Sequence, residues 1–191
     1  MDIDQIFNMI ALGGMVFLIF FSFLIERKLQ RAGVDTKGVL PIPRPIVVLG
    51  KISALACWLA ILIQSAGGNL RYYFDFGNRI DPVAVTLIVV GIVIFLKGMS
   101  ALGEGISMGL PKSVGRLKTE GILQVTRNPI YLGSHIICIA AVIFTCNPII
   151  LFTALLSIII HHKIILAEEK FLLENFKDDY SNYMKAVRRY F

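Results

Sequence analysis

Between Ile6 and Ile25 the chain runs for 20 residues without a charged side chain, the length of helix that crosses the hydrocarbon core of a bilayer. Inside lipid each backbone N–H and C=O has to be satisfied within its own segment, so such a run commits the chain to a helix. It stops at Glu26-Arg27-Lys28, and further apolar runs follow over 46–66, 82–102, 130–146 and 148–167. Lys51 and Lys97 lie near the ends of the second and third runs, where the apolar stem of a lysine carries its ammonium to the interface. The expected fold is therefore all-α, a polytopic membrane protein of about five transmembrane helices forming one domain over residues 1–191. A hydrophobic content of 56% and a mean hydropathy of +0.73 agree with lipid as the main solvent.

Asp2 and Asp4 stand where a secretory signal would be basic, so the first run is expected to be a retained span. Gly67-Gly68 closes the second run and Pro82 opens the third. Asn147-Pro148 is so short a turn that the last two helices must be an antiparallel hairpin. In the loop after the second run Tyr72, Tyr73, Phe74 and Phe76 form a candidate aromatic anchor at the interface. That loop is balanced in charge, whereas the segments 26–51 and 103–128 are rich in Lys and Arg and the Asn147-Pro148 turn is uncharged. The positive-inside bias then puts the N-terminus outside and the 26–51 loop, the 103–128 segment and the C-terminal tail in the cytoplasm, with the plasma membrane as the location in a prokaryote. The formal charge of +6 thus reports topology, and nucleic acid is not an expected partner.

Beyond the fifth run, Leu172, Phe176, Tyr180, Tyr183 and Val187 recur at helical spacing opposite Lys170, Glu174, Lys177, Asp178 and Lys185. This predicts an amphipathic cytoplasmic helix over about 168–189, lying on the membrane surface or against the other cytoplasmic elements. Cys57, Cys138 and Cys146 fall inside or at the end of apolar runs with no Cys-x-x-Cys pair, and read as small buried hydrophobes. His135, His161 and His162 have no acid at ligand spacing on the same face, and adjacent helical residues point ~100° apart, so no metal site is expected.

Two polar clusters flank the hairpin at its cytoplasmic end. One is Arg127-Asn128-Pro129-Ile130-Tyr131-Leu132-Gly133 with His135 one turn deeper, and the other is Glu168-Glu169. An antiparallel hairpin brings Arg127 and Tyr131 close to the two carboxylates, and polar groups at that depth need partners.

The pair RNPIYLG and EEKFLLENFKDDYSNYMKAV resembles the C-terminal signature of the isoprenylcysteine carboxyl methyltransferase and phospholipid methyltransferase superfamily, in the form of a short prokaryotic-type member. That signature reads Arg-His-Pro-x-Tyr-x-Gly, a hydrophobic stretch, Glu-Glu, and a tail with spaced aromatics. TEGILQVTRNP also resembles the lead into the motif, and the likeness covers about the last 70 residues. The resemblance implies transfer of a methyl group from S-adenosylmethionine at a pocket between the hairpin, the C-terminal helix and the preceding span. Carried over position by position, it implies cofactor contacts from Arg127, Asn128, Pro129, Tyr131, Gly133, Glu168 and Glu169, with His135 as pocket lining and Arg127, Glu168 and Glu169 as catalytic candidates. The cofactor has a sulfonium, an ammonium, a carboxylate and an adenine, which suit carboxylates, one arginine and an aromatic. The family's His after Arg is Asn128 here, and Asn hydrogen-bonds but does not titrate near neutral pH.

The implied acceptor is lipophilic and drawn from the bilayer: a carboxylate such as a prenylcysteine-like group, a lipid amine, or a small hydrophobic acid or amine. Membrane lipids are the expected partners. Two other readings stand beside it. Sterol reductases and steroid 5-alpha-reductases, which use NADPH, have a similar hairpin with their own Arg-His-Pro-x-Tyr motif, and a non-catalytic membrane scaffold is the third.

Overall fold

A computed structural model describes residues 2–32, 39–71, 81–103 and 116–191. The aromatic anchor expected at Tyr72, Tyr73, Phe74 and Phe76 lies outside the described residues, as do parts of the 26–51 and 103–128 segments. Among the described residues there are five α-helices and no strand: α1 (Ile3–Arg31), α2 (Arg44–Ser65), α3 (Asp81–Leu102), α4 (Pro129–Thr145) and α5 (Pro148–Ala186). A single 3-10 turn, Gly121–Gln124, precedes α4. The protein is an all-α, multi-pass membrane protein: α1, α2, α3 and α5 are each long and apolar enough to cross a bilayer, and α4 is a shorter apolar helix.

Local chemistry sets the helix ends. The Asp2 side chain accepts from the Ile3 N–H at 2.7 Å, and the Asp2 N–H donates to Gln5 Oε1 at 3.1 Å, a reciprocal cap at the start of α1. Proline occupies the first turn of α2, α4 and α5, where its missing N–H costs no hydrogen bond. Cys146 terminates α4 in the left-handed region (φ 46°), and Asn147 caps α5 by accepting from Ile149 N at 2.9 Å. The same Asn147 donates to the Leu70 carbonyl at 2.8 Å, while Arg71 pairs with the buried Asp81 and donates to the Phe144 carbonyl. These contacts fasten the hairpin turn to the ends of α2 and α3.

Burial sorts each helix into an inner and an outer face. In α1, Ala11, Met15 and Leu18 are inaccessible, while Val16, Phe17, Phe20 and Phe23 face outward, as a lipid-facing surface requires. The inner faces meet around Met15, Ile61, Ile88, Ile137 and Phe144. α4 lies along α3 at close range because both carry glycine at the crossing. A Cβ at Gly133 would sit 2.6 Å from the Gly91 carbonyl oxygen and 2.6 Å from Phe95 N, and one at Gly98 would sit 2.9 Å from Ile130 N. Small residues permit this approach, which replaces the hydrophobic driving force that lipid removes.

At a rise of 1.5 Å per residue, α5 is about 60 Å long and the hydrocarbon core takes up only about half of it. Its apolar part, 148–167, is followed without interruption by the charged part that begins at Glu168. The amphipathic helix expected over 168–189, on the membrane surface or against the other cytoplasmic elements, is the continuation of α5, broken at Lys177 (φ 44°, ψ −115°) and ending at Ala186. Its aromatic face turns inward: Tyr180 is fully buried beside Tyr183, whose hydroxyl donates to the Leu123 carbonyl at 2.5 Å.

Candidate active site

The centre of the hairpin mouth is Glu169, 4% exposed at the point where α5 leaves its apolar part. Arg127, just before α4, donates from Nε and Nη2 to Glu169 Oε1 at 3.2 and 3.0 Å, and Asn128 Nδ2 donates to the same oxygen at 3.1 Å. Arg189 donates to the other oxygen, Oε2, from Nη2 at 2.7 Å and Nε at 3.0 Å. Burial alone would raise the carboxyl pKa, but the hydrogen bonds from Arg189 and Arg127 outweigh it and hold Glu169 below the usual carboxylate range. The anion in turn raises the pKa of the Arg189 guanidinium.

Arg127 also donates from Nη1 to the carbonyls of Met184 (3.0 Å) and Val187 (2.6 Å). With the two bonds to Glu169, this accounts for four of the five guanidinium protons. Its backbone N–H reaches the Arg188 carbonyl at 3.1 Å, and the Arg189 carbonyl accepts from Thr126 Oγ1 at 3.0 Å and from Asn128 Nδ2 at 3.4 Å. The last residues of the chain are therefore laced to the start of α4, with Glu169 as the shared anion.

Glu168 lives in different surroundings although it is the next residue. Successive residues of a helix diverge by ~100°, and Glu168 turns towards the start of α4, where Tyr131 donates its hydroxyl proton to Oε1 at 2.8 Å. Burial pushes this carboxyl up to about 7, against the downward pull of the Tyr131 hydrogen bond and of the nearby Lys51 charge.

Deeper between α4 and α5, Tyr131 and His135 both face His161, with ring centroids 5.6 and 6.2 Å apart. His161 shares a 3.1 Å hydrogen bond with Ser157. The C-terminal tail closes this space: the Tyr190 ring lies 5.8 Å from that of His135, and its hydroxyl shares a 2.8 Å hydrogen bond with His162 Nδ1. His135 is 7% exposed, and its Nε2 has no hydrogen-bond partner among the described residues. An open cavity of about 630 Å³ adjoins the cluster through Tyr183, between residues 116–119 and the end of α5.

The residues singled out by sequence thus fall into three places. Arg127 and Asn128 join Glu169, Tyr131 joins Glu168, and His135 lines the imidazole-rich space. Pro129 and Gly133 lie against α3, where the helices cross. Sequence reading missed Thr126, Arg189 and Tyr190. The signal for Arg189 was the basic pair Arg188-Arg189 beyond the motif; Tyr190 and Thr126 left none. Among the described residues no group of three or more His, Cys, Asp or Glu side chains converges as a metal site would require.

No curated protein matches the chain. A family model described as phospholipid methyltransferase matches residues 81–179, which take in α3, α4 and α5 through both glutamates as far as Asp179. With more than half of its length matched, including the hairpin that builds this site, the chain belongs to the phospholipid methyltransferase family.

Proposed function

We propose that the protein transfers the methyl group of S-adenosylmethionine to a lipophilic acceptor from the bilayer, at the cytoplasmic mouth of the α4–α5 hairpin. The observation that carries this is the pair of neighbouring carboxylates, one neutralised by two arginines and one hydrogen-bonded by Tyr131. The groups present suit the cofactor in kind. Glu168 offers an acceptor for an ammonium or hydroxyl, His135 offers a buried ring nitrogen that has no partner among the described residues, and Tyr131 and Tyr190 offer aromatic faces. When bound, S-adenosylmethionine supplies an electrophilic methyl group on a sulfonium.

Arg127, Asn128 and Glu169 hold the mouth in shape, since their hydrogen-bonding capacity is largely spent on one another and on the tail. Glu168 does the proton work. A lipid amine arrives as an ammonium and has to lose a proton before its nitrogen attacks, and a carboxyl near neutral pKa is suited to take it. An acceptor that is already a carboxylate needs no such base. For either acceptor, positioning and exclusion of water supply most of the acceleration of an in-line displacement.

Calorimetric titration of the detergent-solubilised protein with S-adenosylmethionine and with NADPH tests the reading. Binding of the first and not the second is expected. Binding of NADPH alone would make the protein a reductase, and binding of neither would leave a scaffold. Incubation with radiolabelled methyl donor and a membrane lipid extract then identifies the acceptor.

A further inference from the structure

α1 and α3 run side by side and meet at Gly14, where a Cβ would sit 3.1 Å from Ile92 Cδ1. Two turns further along both helices they part, and a groove of about 520 Å³ opens between them. That volume falls within the range of ligand sites, about 300–1,000 Å³. Phe21, Ile25 and Leu29 line the groove from α1, and Met99 and Ser100 from α3. It lies on the face of α3 turned away from the hairpin. Gly98 backs onto the start of α4, with a Cβ there 3.0 Å from Pro129 Cβ and 2.9 Å from Ile130 N, whereas the next two residues turn to α1. The groove is therefore separate from the mouth around Glu168 and Glu169, and α1 lies outside the matched family segment.

Charge reaches this groove with one sign. Glu26-Arg27-Lys28 and Arg31 mark the place where α1 leaves its apolar run. Glu26 accepts from Gln30 Nε2 at 3.1 Å, and the Arg27 guanidinium lies 4.8 Å from the centre of the Phe23 ring. Lys28 lines the groove, is exposed, and has no ion-pair partner among the described residues. Arg31, also exposed, stands three residues on, next to it on the helix surface. Among the described residues no acid lines the groove. A lipid chain laid along Leu29 and Met99 would bring its headgroup to the level where α1 becomes charged. There a net negative headgroup gains from both cations, while a zwitterion sets its own ammonium against them. Basic pockets between spans take anionic headgroups for this reason, and an ammonium on a flexible stem meets phosphate as a point charge.

We propose that the groove between α1 and α3 is a binding site for an anionic phospholipid, with one acyl chain between Phe21 and Met99 and the phosphate at Lys28. The lipid is held there and not methylated, since the carboxylates of the mouth lie across α3. The site stands whether or not the mouth transfers methyl groups.

The test uses the full chain in detergent. Native mass spectrometry measures retention of dioleoylphosphatidylglycerol against dioleoylphosphatidylcholine, which has the same chains and phosphate but no net charge. The wild type should favour the anionic lipid. Lys28→Gln should reduce that preference about fivefold, the effect of one basic side chain beside an anionic headgroup, and Lys28→Arg should keep it. Arg44→Gln, at an exposed cation that begins α2, should also keep it. Ser100→Trp puts an indole into the groove and should lower retention of the anionic lipid several-fold. Circular dichroism verifies the helices of each variant, and Lys28→Gln, at an exposed position, decides the matter should Ser100→Trp fail to fold. An indifferent wild type would overturn the proposal, as would an unchanged preference in Lys28→Gln, an equal loss in Arg44→Gln, or full retention by a folded Ser100→Trp. Displacement of the lipid by millimolar glycerol 3-phosphate, which has the phosphate and no chain, would also overturn it, since the site would then be one for free anions.

Discussion

Glu168 and Glu169 are identical in type and adjacent in sequence, and the structure gives them different surroundings and opposite pKa shifts. Glu169 meets Arg127, Asn128 and Arg189, with the Glu169 and Arg127 side chains 5% and 7% exposed. Removing the charge of one member of a buried pair leaves the others uncompensated, at a cost of ~3–5 kcal/mol. Arg189 keeps about a third of its side chain in solvent, so Glu169→Gln should cost about 3 kcal/mol, measured as a lower unfolding midpoint in detergent. Its pKa is depressed in the folded state, so the unfolded chain binds more protons at acidic pH. The stabilisation is therefore complete above the ordinary carboxylate range, near pH 4.5, and is lost as the pH falls through the lower folded value. A scan of midpoint against pH should show this acid loss in the wild type and a reduced loss in Glu169→Gln. Glu168 shifts the other way, to about 7. With an amine acceptor, kcat/KM should rise with pH through about 7, because only the carboxylate accepts a proton, and Glu168→Gln should lower the rate by ~100-fold or more and remove that limb. The sequence pattern presented the two acids as a unit. Their difference depends on partners supplied by Tyr131, Lys51 and Arg189, far away in the chain.

At the scale of elements, apolar length alone made the helices legible, because a charge-free run of bilayer length has few other solutions. The helix beyond the fifth apolar run was legible too, from the spacing of Leu172, Phe176, Tyr180 and Tyr183. Glu168-Glu169 marks a change of solvent and not the end of a helix, which runs on because the residues after it keep an apolar face to bury. The role of the glycines was hidden, since Gly91 and Gly133 matter only through each other. A side chain at Gly133 would strike the backbone of α3 at 2.6 Å, which no rotamer relieves. Gly133→Val should therefore cost ~1–3 kcal/mol and lower the unfolding midpoint, and it should weaken cofactor binding only as far as Arg127 and Tyr131 are displaced with α4. The tail offers a separate test. Truncation after Ala186 removes the Val187, Arg188 and Arg189 carbonyls that accept from Arg127, Thr126 and Asn128, and with them the Tyr190 ring over His135. Cofactor affinity should fall at least tenfold on calorimetric titration while the helical circular dichroism signal persists.

The whole molecule is arranged so that its two ends of chemistry lie on opposite sides of the bundle. Arg71, Asp81 and Asn147 bind the ends of α2, α3 and α4 together on one side, and everything around Glu168 and Glu169 lies on the other. The start of α2, the end of α3, the start of α4 and the charged part of α5 all belong to this second side, because consecutive helices of the bundle run in alternating directions. On the proposed reading, a donor as polar as S-adenosylmethionine reaches the mouth from water, while a lipophilic acceptor reaches it from the bilayer. The sequence-based expectation from the Lys and Arg bias is a cytoplasmic mouth. The same bias makes a prediction for the intact cell. In a background where Cys57, Cys138 and Cys146 are replaced by serine or alanine, Asp2→Cys should react with a membrane-impermeant maleimide added outside, and Phe191→Cys should react only after the membrane is opened. Labelling in the reverse order would put the site on the side away from its cofactor, and an inverted protein with a cytoplasmic supply of methyl donor would have no means of using Glu168.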